Sequence, residues 1–257
     1  MKNILLIFTI TFTAMQLNAQ DLALYEKKIF QTGGDTLRYR ILLPEDYVKG
    51  KTYPLIVFLH GSGERGNDNE SQLKYGATLF LRDSIRKKYP AIVVFPQCPH
   101  GETWSHTTID SAGHFHVFHP FQLNPSTQEK LIKLLIEDLV NNGMADSKRI
   151  YLGGLSIGGL GVYDMILRYG NFFAAAFPIA AQSDVEMMLK SSINIPLWIF
   201  HGAKDSIQPP EPDRRLYKGL IRQGDTKVKY TEYPNADHNS WNPAFEEPEL
   251  LPWLFAQ

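Results

Sequence analysis

Residues 150–159 read Ile150-Tyr151-Leu152-Gly153-Gly154-Leu155-Ser156-Ile157-Gly158-Gly159, and the fold turns on how this stretch is read. The apolar run Ile150 to Leu152 describes a strand, and the helical pattern that follows runs from about Gly158 to Tyr169. Between them, Gly154-Leu155-Ser156-Ile157-Gly158 fits the pattern G-x-S-x-G. In that pattern a serine is lifted above the end of a sheet on a turn too tight for side chains at the glycine positions. The helix behind it aims amide groups at the same point. Five residues alone are a weak signal; their place between a strand and a helix makes them specific.

Working outward, short and nearly continuous apolar runs recur at Leu55 to Leu59, Ala91 to Phe95, Ala174 to Ile179 and Leu197 to Phe200. Runs without polar alternation suit strands covered on both faces, as in a parallel sheet. Lys28 to Thr32 and Leu37 to Leu43, joined through Gly33-Gly34-Asp35, predict an antiparallel opening hairpin. Ser126 and Glu129 form a capping box ahead of Leu131, Leu134, Leu135 and Leu139 at helical spacing, and Gly143 ends that helix. Further helices are expected from about Asp213 to Gln223 and near Pro248 to Phe255. The alternation predicts an α/β fold with a mostly parallel central sheet, an antiparallel N-terminal hairpin and helices on both faces. Ligands in such sheets bind at the carboxyl ends of the strands.

A serine hydroxyl needs a base to take its proton and a carboxylate to orient that base. In the strand–turn–helix context the order is Ser, then acid, then His. Two histidines lie downstream of Ser156. His201 ends an apolar strand, precedes the acid and reads as structural. His238 follows the strand-like Val228 to Tyr233 and is the expected base. Asp205, in Gly202-Ala203-Lys204-Asp205 just after a strand, is the expected acid. Asp184, after the preceding strand, is the alternative, and Asp237 is disfavoured because neighbouring side chains rarely face each other. Acyl transfer also needs two amides aimed at the developing oxyanion. One is expected from Ile157 and the other from Ser62, with Gly63 as its alternative, in the loop His60-Gly61-Ser62-Gly63-Glu64-Arg65-Gly66. Glu64 and Arg65 are expected to brace that loop as an ion pair.

Trp104, His106, His114, Phe115, His116, Val117, Phe118 and His119 crowd the stretch between Pro96 and Pro125. His114-x-His116 would place two imidazoles on one face of a strand, but Asp110 is the only carboxylate within ten residues of either, so the stretch reads as a pocket loop and no metal is expected. Trp104 and Trp241 are the expected substrate-contacting side chains.

With 26 Lys+Arg against 27 Asp+Glu the chain has no general attraction for nucleic acid or anionic lipid. Its single cysteine, Cys98, excludes an internal disulfide and a cysteine-based zinc site, and reads as a small buried residue. Residues 1–19 read as a secretory signal: Lys2, an apolar stretch Ile4 to Met15 shorter than a bilayer span, and the exit Leu17-Asn18-Ala19. No cysteine follows to carry a lipid anchor. Residues 20–257, about 238 in number, are then expected to form one catalytic domain, secreted or periplasmic.

Several stretches together carry a resemblance: Leu59 to Gly66, Phe95-Pro96-Gln97-Cys98-Pro99 with Trp104, Gly154 to Asp164 with Arg168-Tyr169, Trp198 to Asp205, and His238-Asn239-Ser240-Trp241. In this order the chain resembles the α/β-hydrolase superfamily. Within it, the likeness is to exported esterases and predicted peptidases related to polyhydroxybutyrate depolymerases and feruloyl or acetylxylan esterases. The resemblance spans about residues 53 to 255 and implies Ser156 as nucleophile, Asp205 as acid and His238 as base. It departs at Ala180-Ala181-Gln182-Ser183-Asp184, where the family often has a glycine-rich run.

The expected activity is cleavage of carboxylic esters through an acyl-enzyme, without a cofactor. The expected substrates are small molecules or acyl esters on plant polysaccharides. One rival keeps the machinery and cleaves peptides, as prolyl-oligopeptidase-like relatives do; those usually add an access-restricting domain, for which about 238 residues leave no room. Another is a binding protein that keeps the fold without catalysis, in which a member of the Ser, Asp, His set is usually lost. Acyl group, alcohol and oligomeric state are not legible.

Overall fold

The computed structural model describes residues 22–109, 115–117, 124–191 and 193–257. The signal reading of residues 1–19 lies outside them, as do Asp110, His114, Phe118 and His119 of the histidine-rich stretch.

The chain opens with the hairpin β1 (Glu26–Thr32) and β2 (Asp35–Leu42), paired antiparallel across Gly33 and Gly34, both at positive φ as a two-residue reversal of this hand requires. The remaining strands of the main sheet are β3 (Tyr53–Leu59), β4 (Ile92–Gln97), β7 (Ala145–Leu155), β8 (Ala175–Ile179), β9 (Leu197–Gly202) and β10 (Val228–Tyr233). Their order is β1-β2-β4-β3-β7-β8-β9-β10, parallel from β4 to β10 and antiparallel at the β1–β2 and β2–β4 pairs. A small antiparallel pair, β5 (Thr107–Ile109) with β6 (Phe115–Val117), lies in the histidine-rich stretch. Every residue of β3, β4, β8 and β9 is buried. That explains why their sequences show no polar alternation.

The seven helices among the described residues are α1 (Asp83–Lys88), α2 (Thr127–Asn141), α3 (Ile157–Tyr169), α4 (Val185–Lys190), α5 (Glu211–Arg222), α6 (Trp241–Phe245) and α7 (Leu250–Leu254). Successive strand residues feed two cores. Leu55, Val57 and Leu59 pack with α2, α3 and Leu216 of α5, whereas Ile56 and Phe58 pack with Phe95, Phe177, Phe200, Phe245 and Leu250. Helices therefore cover both faces. The capping box of α2 forms as its sequence predicts: the Glu129 amide donates to Ser126 Oγ at 3.1 Å and the Ser126 amide to Glu129 Oε2 at 2.9 Å. Ser126 Oγ also donates to the Trp104 carbonyl at 3.0 Å, tying the return of the 104–126 segment to the helix.

Candidate active site

β7 ends at Leu155 and α3 begins at Ile157, which leaves Ser156 in the turn at φ +53°. A left-handed backbone at a non-glycine residue costs about 1–3 kcal/mol and persists only where its surroundings enforce it. Here the enforcement is visible. The Ser156 amide donates to the Ile179 carbonyl at 2.9 Å, and the Ser156 carbonyl accepts from the Leu160 amide at 3.1 Å. A Cβ at Gly154 would lie 2.5 Å from the Gly158 carbonyl oxygen, so the turn closes only with glycine there.

His238 enters from the loop after β10, and its Nε2 lies 2.9 Å from Ser156 Oγ. Its Nδ1 lies 2.8 Å from Asp205 Oδ2, delivered by the loop after β9. The two loops are pressed together: a Cβ at Gly202 would meet the Asp237 carbonyl at 2.2 Å, and the Lys204 amide donates to the Ala236 carbonyl at 3.0 Å. The other Asp205 oxygen, Oδ1, accepts from the amides of Ile207 at 3.0 Å and Gln208 at 2.8 Å. Burial pushes the Asp205 carboxyl up, but hydrogen bonds from His201, His238 and the Gln208 amide outweigh it and hold the group well below the usual carboxylate range. The two alternative acids are occupied elsewhere. Asp184 caps α4 by accepting from the Met187 amide at 2.9 Å, and Asp237 accepts from the Ser206 amide at 2.9 Å and the His238 amide at 2.8 Å.

Ser62 opens a 3-10 turn, Ser62–Glu64, immediately after Gly61. The first amides of such a turn have no carbonyl partner within it, and the same holds for Ile157 at the start of α3. The two sets abut, since a Cβ at Gly61 would lie 3.6 Å from Ser156 Cβ. His60 anchors this loop to β4: its Nε2 accepts from the Cys98 amide at 3.0 Å and its Nδ1 donates to the Gly61 carbonyl at 2.7 Å. Burial lowers the His60 pKa to about 4, which keeps the ring neutral in the tautomer those two bonds need.

Two expectations are corrected. Trp104 is fully buried, its indole N–H donating to the His60 carbonyl at 2.9 Å and its Cβ 2.6 Å from where a Cβ on Gly161 would sit. Packed there it supports the loop from below and presents no face to a substrate. Glu64 and Arg65 do not pair with each other among the described contacts. Buried Glu64 faces Lys74 Nζ at 3.6 Å, while Arg65 donates to the Ser62 carbonyl at 3.1 Å and the Glu102 carbonyl at 3.2 Å. Backbone carbonyls, being nearer than the neighbouring side chain's carboxylate, take the guanidinium.

Trp241 is half-buried beside His238, its ring edge-on to the imidazole at 5.4 Å between centroids and 5.3 Å from Tyr75. Tyr75 carried no signal in the sequence, because nothing about an isolated tyrosine announces that the start of a distant helix, α6, brings Trp241 to it. His116 lies on β6, and no cluster of three His, Cys, Asp or Glu able to hold a metal occurs among the described residues.

The family described as phospholipase/carboxylesterase matches residues 47–248. The chain belongs to the phospholipase/carboxylesterase family. The matched region is therefore a carboxylic ester hydrolase domain. A bifunctional acetylxylan esterase/xylanase of Neocallimastix patriciarum is 24% identical over 199 residues, 74% of this chain and 26% of that protein. An acyl-protein thioesterase 1 homolog of Dictyostelium discoideum is 24% identical over 198 residues, covering 72% of this chain and 85% of the other. The crystal structure of a thermostable esterase superposes with a TM-score of 0.79 at 34% identity, over 93% of this chain and 64% of that one. The chain thus spans about a quarter of the first of these relatives and just under two thirds of the esterase structure. No helix among the described residues is long and apolar enough to cross a membrane.

Proposed function

We propose that the protein is an exported serine esterase that works through Ser156, His238 and Asp205. The observation carrying this reading is the chain of contacts from Ser156 Oγ to His238 Nε2 at 2.9 Å and from His238 Nδ1 to Asp205 Oδ2 at 2.8 Å. With Nδ1–H donating to Asp205, Nε2 is left as the lone-pair nitrogen facing the hydroxyl. His238 takes the Ser156 proton as Oγ attacks the ester carbonyl, and Asp205 stabilises the imidazolium that results. Charge developing on the carbonyl oxygen is met by the Ile157 and Ser62 amides. Collapse of the tetrahedral intermediate passes the proton from His238 to the leaving alcohol and leaves an acyl group on Ser156. Water, deprotonated by the same imidazole, then releases the acid.

The substrate reading is an acyl ester on a plant polysaccharide or a small molecule, on the strength of the acetylxylan esterase relative and the half-buried aromatic pair Tyr75 and Trp241 beside His238. The secretory reading of residues 1–19 agrees with a polymeric substrate outside the cell. The test is labelling by a fluorophosphonate probe beside a Ser156→Ala control, followed by hydrolysis of acetyl, feruloyl and longer acyl esters against peptide substrates. Labelling that persists in Ser156→Ala sinks the mechanism; peptide turnover exceeding ester turnover sinks the substrate class.

A further inference from the structure

Behind Asp205 lies a second histidine–carboxylate pair. His201, the second-to-last residue of β9, is fully buried, with Nδ1 2.8 Å from Asp213 Oδ2 on α5 and Nε2 2.7 Å from the Gln208 carbonyl. Nε2 is also 3.4 Å from Asp205 Oδ2, the oxygen that meets His238. Asp213 is buried as well, and its other oxygen accepts from Tyr163 Oη of α3 at 2.8 Å.

A backbone carbonyl can only accept, so His201 Nε2 carries a hydrogen. Nδ1 faces a carboxylate oxygen, so a proton also sits on that contact. His201 and Asp213 together therefore hold a proton between them, and the end nearer Asp205 is the ring. Gln208 links the pair to the acid directly: its amide donates to Asp205 Oδ1 and its carbonyl accepts from His201.

We propose that the His201–Asp213 pair is a positioning unit for Asp205, which presents an imidazolium to the rear of the acid and thereby sets how strongly Asp205 holds a proton on His238. This rests on the reading of Ser156, His238 and Asp205 given above. A cation at 3.4 Å withdraws part of the Asp205 field, so the imidazolium formed in front of it is held less tightly and returns to the basic form at lower pH. Burial works against charge on His201, but hydrogen bonds to Asp205 and Asp213 overcome it and hold the ring protonated up to about 10. Groups facing the pair from other elements are Tyr163 of α3 and, on β10, Glu232, the strand partner of His201. Glu232 is neutralised by Arg214 through two bonds of 2.7 Å and accepts from Tyr230, so it does not replace Asp213.

The test is the pH dependence of kcat/KM for an activated ester in wild type, His201→Gln and Asp213→Asn. Each variant removes the imidazolium, so the acid limb moves to higher pH. The shift expected for losing the nearer end of a buried charge pair is on the order of half a pH unit. A merely structural role lowers activity and leaves the limb in place; that result overturns the proposal. Nitrogen-15 NMR of wild-type His201 at pH 8 decides the matter even where a variant fails to fold: two protonated ring nitrogens support it and a neutral ring overturns it. Should Ser156→Ala keep its activity, it is the underlying triad that has failed, and the His201 spectrum still reports on the pair.

Discussion

A Cβ on Gly158 would lie 2.1 Å from the carbonyl oxygen of Leu59, so the first turn of α3 rests on the backbone of β3 with no space for a methyl group. Gly158→Ala must push α3 away from the strand end that carries the Ser62 loop, because the added Cβ meets backbone atoms of Leu59 and His60 that cannot swing aside. We expect a loss of about 3 kcal/mol or more, read by denaturant unfolding. Gly63→Ala, with open space around the added atom, is expected to leave stability within about 0.5 kcal/mol.

The two downstream aspartates separate by chemistry. Asp205→Asn keeps the shape but presents an amide to His238, so kcat is expected to fall by about 10³–10⁴. Asp184→Asn, which can still cap α4, is expected to hold activity within about twofold, while Asp184→Ala loses about 1 kcal/mol of stability with little change in kcat. Equal loss of kcat in both Asn variants would contradict the assignment.

His201 couples folding to alkaline pH. Its pKa rises from the ordinary 6.5 to about 10, with burial opposing and the bonds to Asp205 and Asp213 prevailing. A group whose folded pKa is raised stabilises fully below its unfolded value and loses that contribution as pH climbs through the folded one. The wild-type melting temperature is therefore expected to decline between about pH 6.5 and 10 by roughly 3 °C or more, and the His201→Gln curve to run flatter over the same window. Parallel curves for the two proteins would show the ring to be neutral.

Burial drives the Cys98 thiol up to about 12, so it holds almost no thiolate at neutral pH. Iodoacetamide at pH 8 is expected to leave native protein unmodified and to alkylate it stoichiometrically in denaturant, as mass spectrometry would record.

Trp241 packs between Tyr75 and His238, the proposed base. Trp241→Ala is expected to raise KM for bulky or aromatic acyl esters by about tenfold, with a smaller change for acetyl esters. An equal effect on both would remove Trp241 from the substrate pocket.

Much of the architecture was legible because it is written in local chemistry. The β7–Ser156–α3 turn needs glycine where backbones collide, and α2 begins at a capping box that can be read from two residues. Strand limits were less so. β7 runs from Ala145 to Leu155, beyond the apolar run Ile150 to Leu152; at its C-terminal end it continues through Gly153, which is empty only to admit the Phe177 ring. That ring would lie 2.1 Å from an added Cβ, a tertiary reason with no local trace. The short helices α1, α4 and α6 have no counterpart in the sequence reading, since no five- or six-residue segment is long enough to display a helical period. At the site, order and position relative to strands sufficed to place Ser156, Asp205 and His238 together. Trp104 misled because tryptophan suits both a pocket wall and a core. His201 reads from the sequence as structural; it is buried, and the carboxylates that define its environment stand four and twelve positions away on separate elements.

Among the described strands β10 is the outermost of the sheet at its C-terminal end and is hydrogen-bonded to β9 alone, yet the loop it leads into brings His238 to Ser156. Ser156 and His238, the proposed nucleophile and base, thus sit on opposite sides of the boundary across which this strand must dock. Reactivity of Ser156 toward a phosphonate doubles as a sensor for that docking. Detachment of the sheet's last strand, by mild denaturant or by a nick in the 223–227 turn, would silence the serine while most of the core is still folded.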